Sequence, residues 1–236
     1  MTALAERLKH RFFANSEHPY ATLERLVGAE LRPHHTLMDA GCGYTAPILA
    51  KFRGRAARLI GIDLVHFDKP IEGLELYQRD LSRTGLPDAS VDVVMCRSVM
   101  EHVTDPVAVY REMHRILKPG GCLIFLTGNL WDYSAIIARI VPNRFHPWIV
   151  ARTEGREERD VFPVAYKTNT RRQVQRLCAQ SGLKLEDFSY RGQYPSYFMF
   201  NGALFLLATA YEKLINRFSA LAFLRGWILV TLRKPA

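Results

Sequence analysis

The 236 residues predict an α/β chain: a seven-stranded, mostly parallel sheet with helices on both faces and the last strand antiparallel. Two observations carry that expectation. From residue 36 onward, short apolar runs alternate with helical periods, as strands of a parallel sheet do when both faces are covered. The first of those runs ends in a glycine-rich bend, Gly41-Cys42-Gly43, set between a strand and a helix. Composition agrees. With 48% hydrophobic and 23% charged residues, a chain of this length fills one large core without disulfide or metal.

The elements follow in order. Residues 3–13 and 19–31 read as amphipathic helices, with Leu23, Leu26, Val27 and Leu31 on one stripe of the second. Thr36–Ala40 is the first strand, and a helix begins near Pro47 and ends at Arg53-Gly54. Ala57–Asp63, Leu74–Arg79 and Val91–Arg97 are the next three strands. A helix covers 106–117, with Pro106 in its first turn and Pro119-Gly120-Gly121 closing it, and Cys122–Thr127 is the fifth strand. Residues 129–168 break the rhythm with prolines, aromatics and charges, so they read as an insert or substrate lid. Thr170 caps a helix over 171–180 that stops at Ser181-Gly182. Lys184–Tyr190 and Trp227–Leu232 are the last strands, with a helical stretch over 196–224 between them. The expected plan is one domain over 1–236: a helical cap (1–35), a core (36–128), the insert, and a C-terminal part (169–236).

The four cysteines, Cys42, Cys96, Cys122 and Cys178, are far apart and offer no metal spacing, so they read as buried apolar residues in a reducing compartment. The N-terminus is charged and lacks the apolar core of a signal peptide, so a cytoplasmic home is expected. The net charge of +9 has a focus at 139–176, where nine basic residues from Arg139 to Arg176 are interrupted by four acids. No aromatic-interleaved signature accompanies them. A solvated helical face accounts for them, and nucleic acid is not an expected partner.

Three aspartates sit at the ends of three successive predicted strands: Asp39, Asp63 and Asp80. Ligands of doubly wound sheets bind beyond the carboxyl ends of the strands, where the strand order reverses. Glycines there let backbone N–H groups approach a ligand. Asp63 lies where a carboxylate accepts both hydroxyls of a ribose, and Asp80 where an adenine amino group falls. Asp39, at the root of the bend, suits a ligand carrying positive charge. Asp92 begins a strand and reads as structural.

These residues resemble a known family. The run Leu37-Met38-Asp39-Ala40-Gly41-Cys42-Gly43 is similar to the first motif of class I S-adenosylmethionine-dependent methyltransferases, type 11-like and Rossmann-like. The resemblance continues in order through Gly61-Ile62-Asp63, Arg79-Asp80-Leu81, the segment from Leu86 to Val94, Glu101-His102-Val103 and Leu117-Lys118-Pro119-Gly120-Gly121. It implies S-adenosylmethionine as cofactor. Gly41, Cys42 and Gly43 would line its methionine part, Asp63 with Leu64 its ribose, and Asp80 with Leu81 its adenine. Arg97 and Ser98 would flank the methyl end. One departure is Thr45, where the family often has a third glycine. Ala46 also completes a G-x-G-x-x-A dinucleotide fingerprint, so a nicotinamide enzyme is the rival. It explains Asp63 but leaves Asp39, Asp80 and the Lys-Pro-Gly-Gly turn without a role.

Methyl transfer from a sulfonium is an in-line displacement, which asks the protein for alignment and exclusion of water. A general base helps a hydroxyl acceptor. His102 is the candidate base, with a packed histidine as the alternative. Asn129 is a candidate for orienting the acceptor, with loop capping as the alternative. Tyr20, Tyr44, His146 and Tyr166 are candidates to line the acceptor pocket. The segments 142–146, 160–163 and 168–172 are similar to a bacterial subgroup of the type 11-like enzymes. In the stretch 196–224, Phe200, Leu204, Leu207, Tyr211, Leu214, Phe218 and Leu221 form an apolar stripe, and Phe198, Met199, Phe205 and Leu206 make its first half apolar nearly all round. The run is shorter than the ~20 residues that span a bilayer. A dimer helix, an interfacial helix on the inner face of the membrane and the wall of a lipid-accepting pocket remain as its uses. The expected function is methyl transfer, O-methylation favoured, to a small-molecule or lipid-linked acceptor. An inactive cofactor-binding scaffold and an RNA methyltransferase are the alternatives.

Overall fold

The computed structural model describes residues 2–133, 135–136 and 163–236. The chain divides into two compact units: a first unit of 1–19, 128–163 and 190–228, and a second of 20–127, 164–189 and 229–236. His146 and most of the expected insert, including Arg139, Arg144, Arg152, Arg156 and Arg159, lie outside the described residues.

The strands are β1 (Thr36–Ala40), β2 (Arg58–Asp63), β3 (Glu75–Gln78), β4 (Val91–Arg97), β5 (Leu117–Gly128), β6 (Lys184–Arg191) and β7 (Trp227–Arg233). They form one seven-stranded sheet in the order β3-β2-β1-β4-β5-β7-β6. The first five strands pair in parallel. β7 runs antiparallel to β5: Gly120 N–H donates to Lys234 O at one end, and Asn129 N–H to Gly226 O at the other. β1 is buried at all five positions, Thr36 and Asp39 included, the state expected of a central parallel strand covered on both faces. The chain walks from β1 outward to β3 and then returns to lay β4 on β1's other side. The strand order therefore reverses between β1 and β4, which fixes where a ligand enters such a sheet. At the opposite end of these strands, Asp92 accepts from Thr36 N–H at 2.8 Å and from Lys118 Nζ at 2.7 Å, tying β4 to its neighbours as the structural reading expects.

Helices α2 (Pro19–Glu30), α3 (Pro106–Ile116) and α4 (Arg171–Ser181) belong to the second unit. Asp105 caps α3 and Thr170 caps α4, and each side chain accepts a first-turn N–H. Gly182 ends α4 at φ +85°, a left-handed conformation that glycine adopts without strain. Arg171, Arg172 and Arg176 are exposed on α4, the solvated face the charge pattern suggests.

In the first unit, α1 (Ala3–Phe13) packs on α5 (Gly202–Arg217). Ala5, Met199 and Phe205 form a buried cluster there, with Leu8, Phe13, Tyr194 and Phe198 around it. A Cβ on Gly202 would stand 2.6 Å from Leu4, so glycine sets the closeness of this packing.

Three elements differ from the sequence reading. The helix expected from Pro47 is a single 3₁₀ turn, Leu49–Phe52. Ala46 stands at φ +42° just before it and Gly54 at φ +74° just after, which leaves too few residues to nucleate an α-helix. Pro119-Gly120-Gly121 does not close α3, because β5 already begins at Leu117 and carries these residues as a bulge. The β4–β5 register accordingly shifts between Val91 and Val93. A Cβ on Gly121 would meet Asp92 O at 2.9 Å, which accounts for the glycine. Finally, 196–224 is three pieces: a 3₁₀ turn (Ser196–Phe198), α5 capped by Asn201, and a second 3₁₀ stretch (Ser219–Leu224), with Phe218 extended between the last two.

Candidate functional site

The bend after β1 is shaped by its neighbours. Gly41 donates its N–H to Ile62 O at 2.8 Å and stands at φ +85°. A Cβ there would lie 2.1 Å from Val99 Cγ2, so both the conformation and the space require glycine. Gly41→Ala is expected to lower the unfolding free energy by about 2 kcal/mol, read from a denaturant midpoint, through strain and overpacking together. Gly43, at φ +70°, faces open space: nothing lies within 4 Å of where its Cβ would be. Cys42 is buried between them, and burial with the Asp39 and Asp63 charges raises its thiol's pKa. It is an inert packing residue, and all four cysteines are buried and unpaired.

Two carboxylates flank the bend. Asp63, at the tip of β2, accepts Gly43 N–H at 2.7 Å on one oxygen and Val65 N–H at 3.2 Å on the other. It thus braces the bend and the loop that carries the exposed Leu64. Asp39 is 1% exposed. Its Oδ2 is buried without a hydrogen-bond partner. Burial raises its pKa to about 7, Arg97 pulls it back, and Asp63 adds to the rise. A carboxylate oxygen left bare inside a fold is costly unless a partner arrives. Hydrogen-bond donors or a positive charge on a ligand would complete it.

Arg97 and Ser98 follow β4 at the strand-order reversal. Arg97 lies over the Tyr20 ring, 4.2 Å from guanidinium carbon to centroid. Tyr20 Oη and Ser98 Oγ are 3.4 Å apart. Ser98 stands at φ +56°, a strained conformation of the kind that clusters at functional loops. Tyr20, Arg97 and Ser98 therefore form one group, and its charge reaches Asp39. Asp80 is exposed after β3, and its Oδ1 accepts Ser82 N–H at 2.7 Å, which makes it a turn former. Leu81 beside it is half-buried.

The remaining candidates spread out. His102 is half-buried, and its N–H donates to Val99 O at 2.8 Å in the turn after β4. Tyr44 is exposed. Tyr166 stands at φ +50° and donates its N–H to Glu101 O. Asn129 is spent locally: its Nδ2 donates to Phe223 O (2.6 Å) and Arg225 O (2.7 Å), and its Oδ1 accepts Trp131 N–H. That is the geometry of loop capping. One arrangement went unread in the sequence. The Glu101 carboxylate accepts from Thr127 Oγ1, which accepts Asn169 Nδ2 at 3.0 Å, and Thr168 Oγ1 donates to Met100 O at 2.9 Å. This buried chain fixes the loop that carries Val99 and His102. Its members are far apart in sequence, so no local spacing announces it.

The comparisons with known proteins agree with this layout. Residues 38–125 match the family described as methyltransferase domain. A probable S-adenosylmethionine-dependent methyltransferase of Mycolicibacterium smegmatis is 35% identical over 118 residues, 47% of this chain and 44% of that protein. A ubiquinone biosynthesis O-methyltransferase of Ruegeria pomeroyi is 32% identical over 130 residues, 48% of this chain and 52% of that protein. The chain thus spans about half the length of these relatives. A solved structure, an S-adenosylmethionine dependent methyltransferase from Mesorhizobium loti, has a TM-score of 0.55 and 15% identity. The match covers 91% of this chain and 97% of that one, a likeness of fold.

Proposed function

We propose that this chain, a class I S-adenosylmethionine-dependent methyltransferase by its core motifs, transfers a methyl group to an oxygen of a small-molecule or lipid-linked acceptor. The observation that carries the reading is the bare buried oxygen of Asp39, set beside the bend Gly41–Gly43 and the Asp63 carboxylate where the strand order reverses.

The residues fit the cofactor on their own chemistry. The open side of Gly43 admits backbone approach, Asp63 supplies a carboxylate at the tip of β2, and Asp39 supplies an unmet acceptor. Arg97 and Ser98 would border the methyl-bearing end, and Asp80 with Leu81 the base. The cofactor, once bound, supplies a methyl group that its sulfonium makes electrophilic. The chain's own part is alignment and the exclusion of water. His102, held by the Glu101 loop, is the candidate to take the acceptor's proton. Asn129 would serve by shaping the loop after β5, since its amide is already occupied. Tyr20, Tyr44 and Tyr166 remain candidates for the acceptor pocket. Oxygen is favoured because one relative is named an O-methyltransferase.

The test is calorimetry with S-adenosylmethionine and with a nicotinamide dinucleotide. It is followed by mass spectrometry of lipid and metabolite extracts for a gain of one methylene that needs the chain. Uptake of the dinucleotide alone would overturn the reading.

A lipid surface is the further expectation. No helix among the described residues is long and apolar enough to cross a membrane. On α5, however, Leu204, Leu206, Leu207 and Leu214 are exposed, Leu207 at 70%. Phe200 before the helix and Phe218 after it are exposed as well, while Phe205, Thr209, Glu212 and Ile215 are buried. Exposed Arg7 and Arg11 of α1 and Lys213 and Arg217 of α5 supply positive charge in the same unit. An apolar helix face with cationic neighbours matches an anionic bilayer surface. Wild type is expected to sediment with vesicles containing phosphatidylglycerol and not with pure phosphatidylcholine, and a Leu206→Asp/Leu207→Asp variant with neither. A stable dimer in solution that breaks with the same variant, without vesicle binding, would assign the face to a second copy instead.

A further inference from the structure

The turn that carries Asp80 and Leu81 is fastened to α3. Within it, Asp80 Oδ1 accepts Ser82 N–H at 2.7 Å and Asp80 O accepts Arg83 N–H at 3.0 Å. Arg79, which leads into the turn, donates its N–H to Asp63 O at 2.8 Å. Its side chain closes the base of the turn by donating from Nη1 to Thr84 O at 2.6 Å, with the guanidinium 4.6 Å over the Tyr77 ring. Thr84, where the turn ends, is fully buried. Its N–H and its hydroxyl both donate to Glu112 Oε1, at 2.7 and 2.6 Å, and its Oγ1 accepts Leu86 N–H at 3.3 Å.

Glu112 is a buried residue of α3. Arg115, one turn on, grips the same carboxylate with a bidentate fork, Nε to Oε2 at 2.8 Å and Nη2 to Oε1 at 2.7 Å, and its Nη1 reaches Asp88 at 2.5 Å. Burial pushes the Glu112 carboxyl up, and the bonds from Arg115 and Thr84 more than offset it, so its pKa lies below the ordinary value. An apolar side chain would fill such a place without the penalty of burying a charge. What the carboxylate adds is direction: it holds a loop N–H and a loop hydroxyl at one point on a rigid helix.

We infer that Glu112 is a positioning residue for base recognition: through Thr84 it fixes the turn on which Asp80 would meet the adenine amino group. The inference rests on the reading of Asp80 and Leu81 as the base end of the cofactor site. A carboxylate accepts from an amino group only within a narrow range of distance and angle, so the turn must not drift. Without Glu112, the Thr84 N–H and hydroxyl have no acceptor inside the fold, and the turn must shift to reach water. Asp39 and the Gly41–Gly43 bend do not depend on this clasp, so the loss falls on the base.

Calorimetry with S-adenosylhomocysteine and S-inosylhomocysteine tests this, the second having an oxygen in place of the exocyclic amino group. Wild type is expected to bind the adenosyl compound about tenfold more tightly, the worth of one hydrogen bond to a charged group. Glu112→Ala and Thr84→Val are each expected to weaken the adenosyl compound about tenfold and to leave the inosyl compound unchanged, so that the two become equal. Thr84→Ser keeps the hydroxyl and is expected to keep the preference. Thermal unfolding reports whether each variant is folded, and if Glu112→Ala is not, Thr84→Val decides. A merely structural role would weaken both compounds alike. That result, a preference retained in Thr84→Val, or a wild type without preference would overturn the inference and leave the transferase reading standing. A wild type that binds neither compound would overturn both.

Discussion

Asp63→Ala is expected to weaken S-adenosylmethionine binding by about a hundredfold, because it removes a charged acceptor from the ligand and a brace from the bend. One Asp63 oxygen holds Gly43 N–H and the other Val65 N–H. Hydrogen bonds to a charged group contribute roughly 1.5–3 kcal/mol each, so losing the ligand contact and loosening one brace together reach about 3 kcal/mol. Asp63→Asn keeps an oxygen for Gly43 N–H while discarding the charge, and a result between wild type and alanine is expected. Calorimetry measures both. Thermal unfolding without ligand separates a site effect from a folding one, since the alanine variant is expected to melt only slightly lower. Unchanged affinity in Asp63→Ala would mean that the ribose is held elsewhere.

The core of this site was legible because each of its parts is local. β1 is a short, mostly apolar run with Asp39 at its last position but one, β4 matches its expected bounds at both ends, and the Gly41–Gly43 bend occupies the junction where glycine is needed. Thr170 and Gly182 likewise mark the ends of α4 by side-chain chemistry that spacing reveals. What stayed hidden depends on distant partners. The glycines at 120 and 121 look like a helix stop, yet their role is set by Asp92 across the sheet and by pairing with Lys234. The direction of α5 was hidden for a related reason. A helix apolar nearly all round carries little information about which face turns inward. Contact of Gly202 with Leu4 and burial of Phe205 decide it, and they leave Thr209 and Glu212 inside and Leu207 outside. The bond between Thr84 and Glu112 joins residues 28 positions apart and has no motif to betray it.

Asp39→Asn is expected to make the unliganded protein more stable at about pH 8 while impairing its affinity for S-adenosylmethionine. The folded-state pKa of Asp39 is raised from 3.8 to about 7. Folding therefore favours the protonated form. Its stabilising contribution is complete below about pH 4 and is lost as the pH rises through about 7. Above that value the wild type carries a buried carboxylate at a penalty on the order of 4 kcal/mol, from three pKa units at about 1.4 kcal/mol each. Asparagine never ionises, and burying its amide offsets part of the gain, so a net stabilisation of about 2 kcal/mol is expected at about pH 8. Near pH 4 the wild type is protonated as well, and the difference is expected to vanish or reverse. Glu212 carries its own loss of stability between about 4.5 and 8 in both proteins, so subtracting one curve from the other isolates Asp39. Denaturant titrations across that range measure the stability, and calorimetry the affinity. A site that keeps a charge it would be more stable without does so because the charge meets something the chain itself does not supply. If Asp39→Asn were less stable than wild type at about pH 8 and bound S-adenosylmethionine equally well, Asp39 would be a structural residue and its bare oxygen would have no bearing on the ligand.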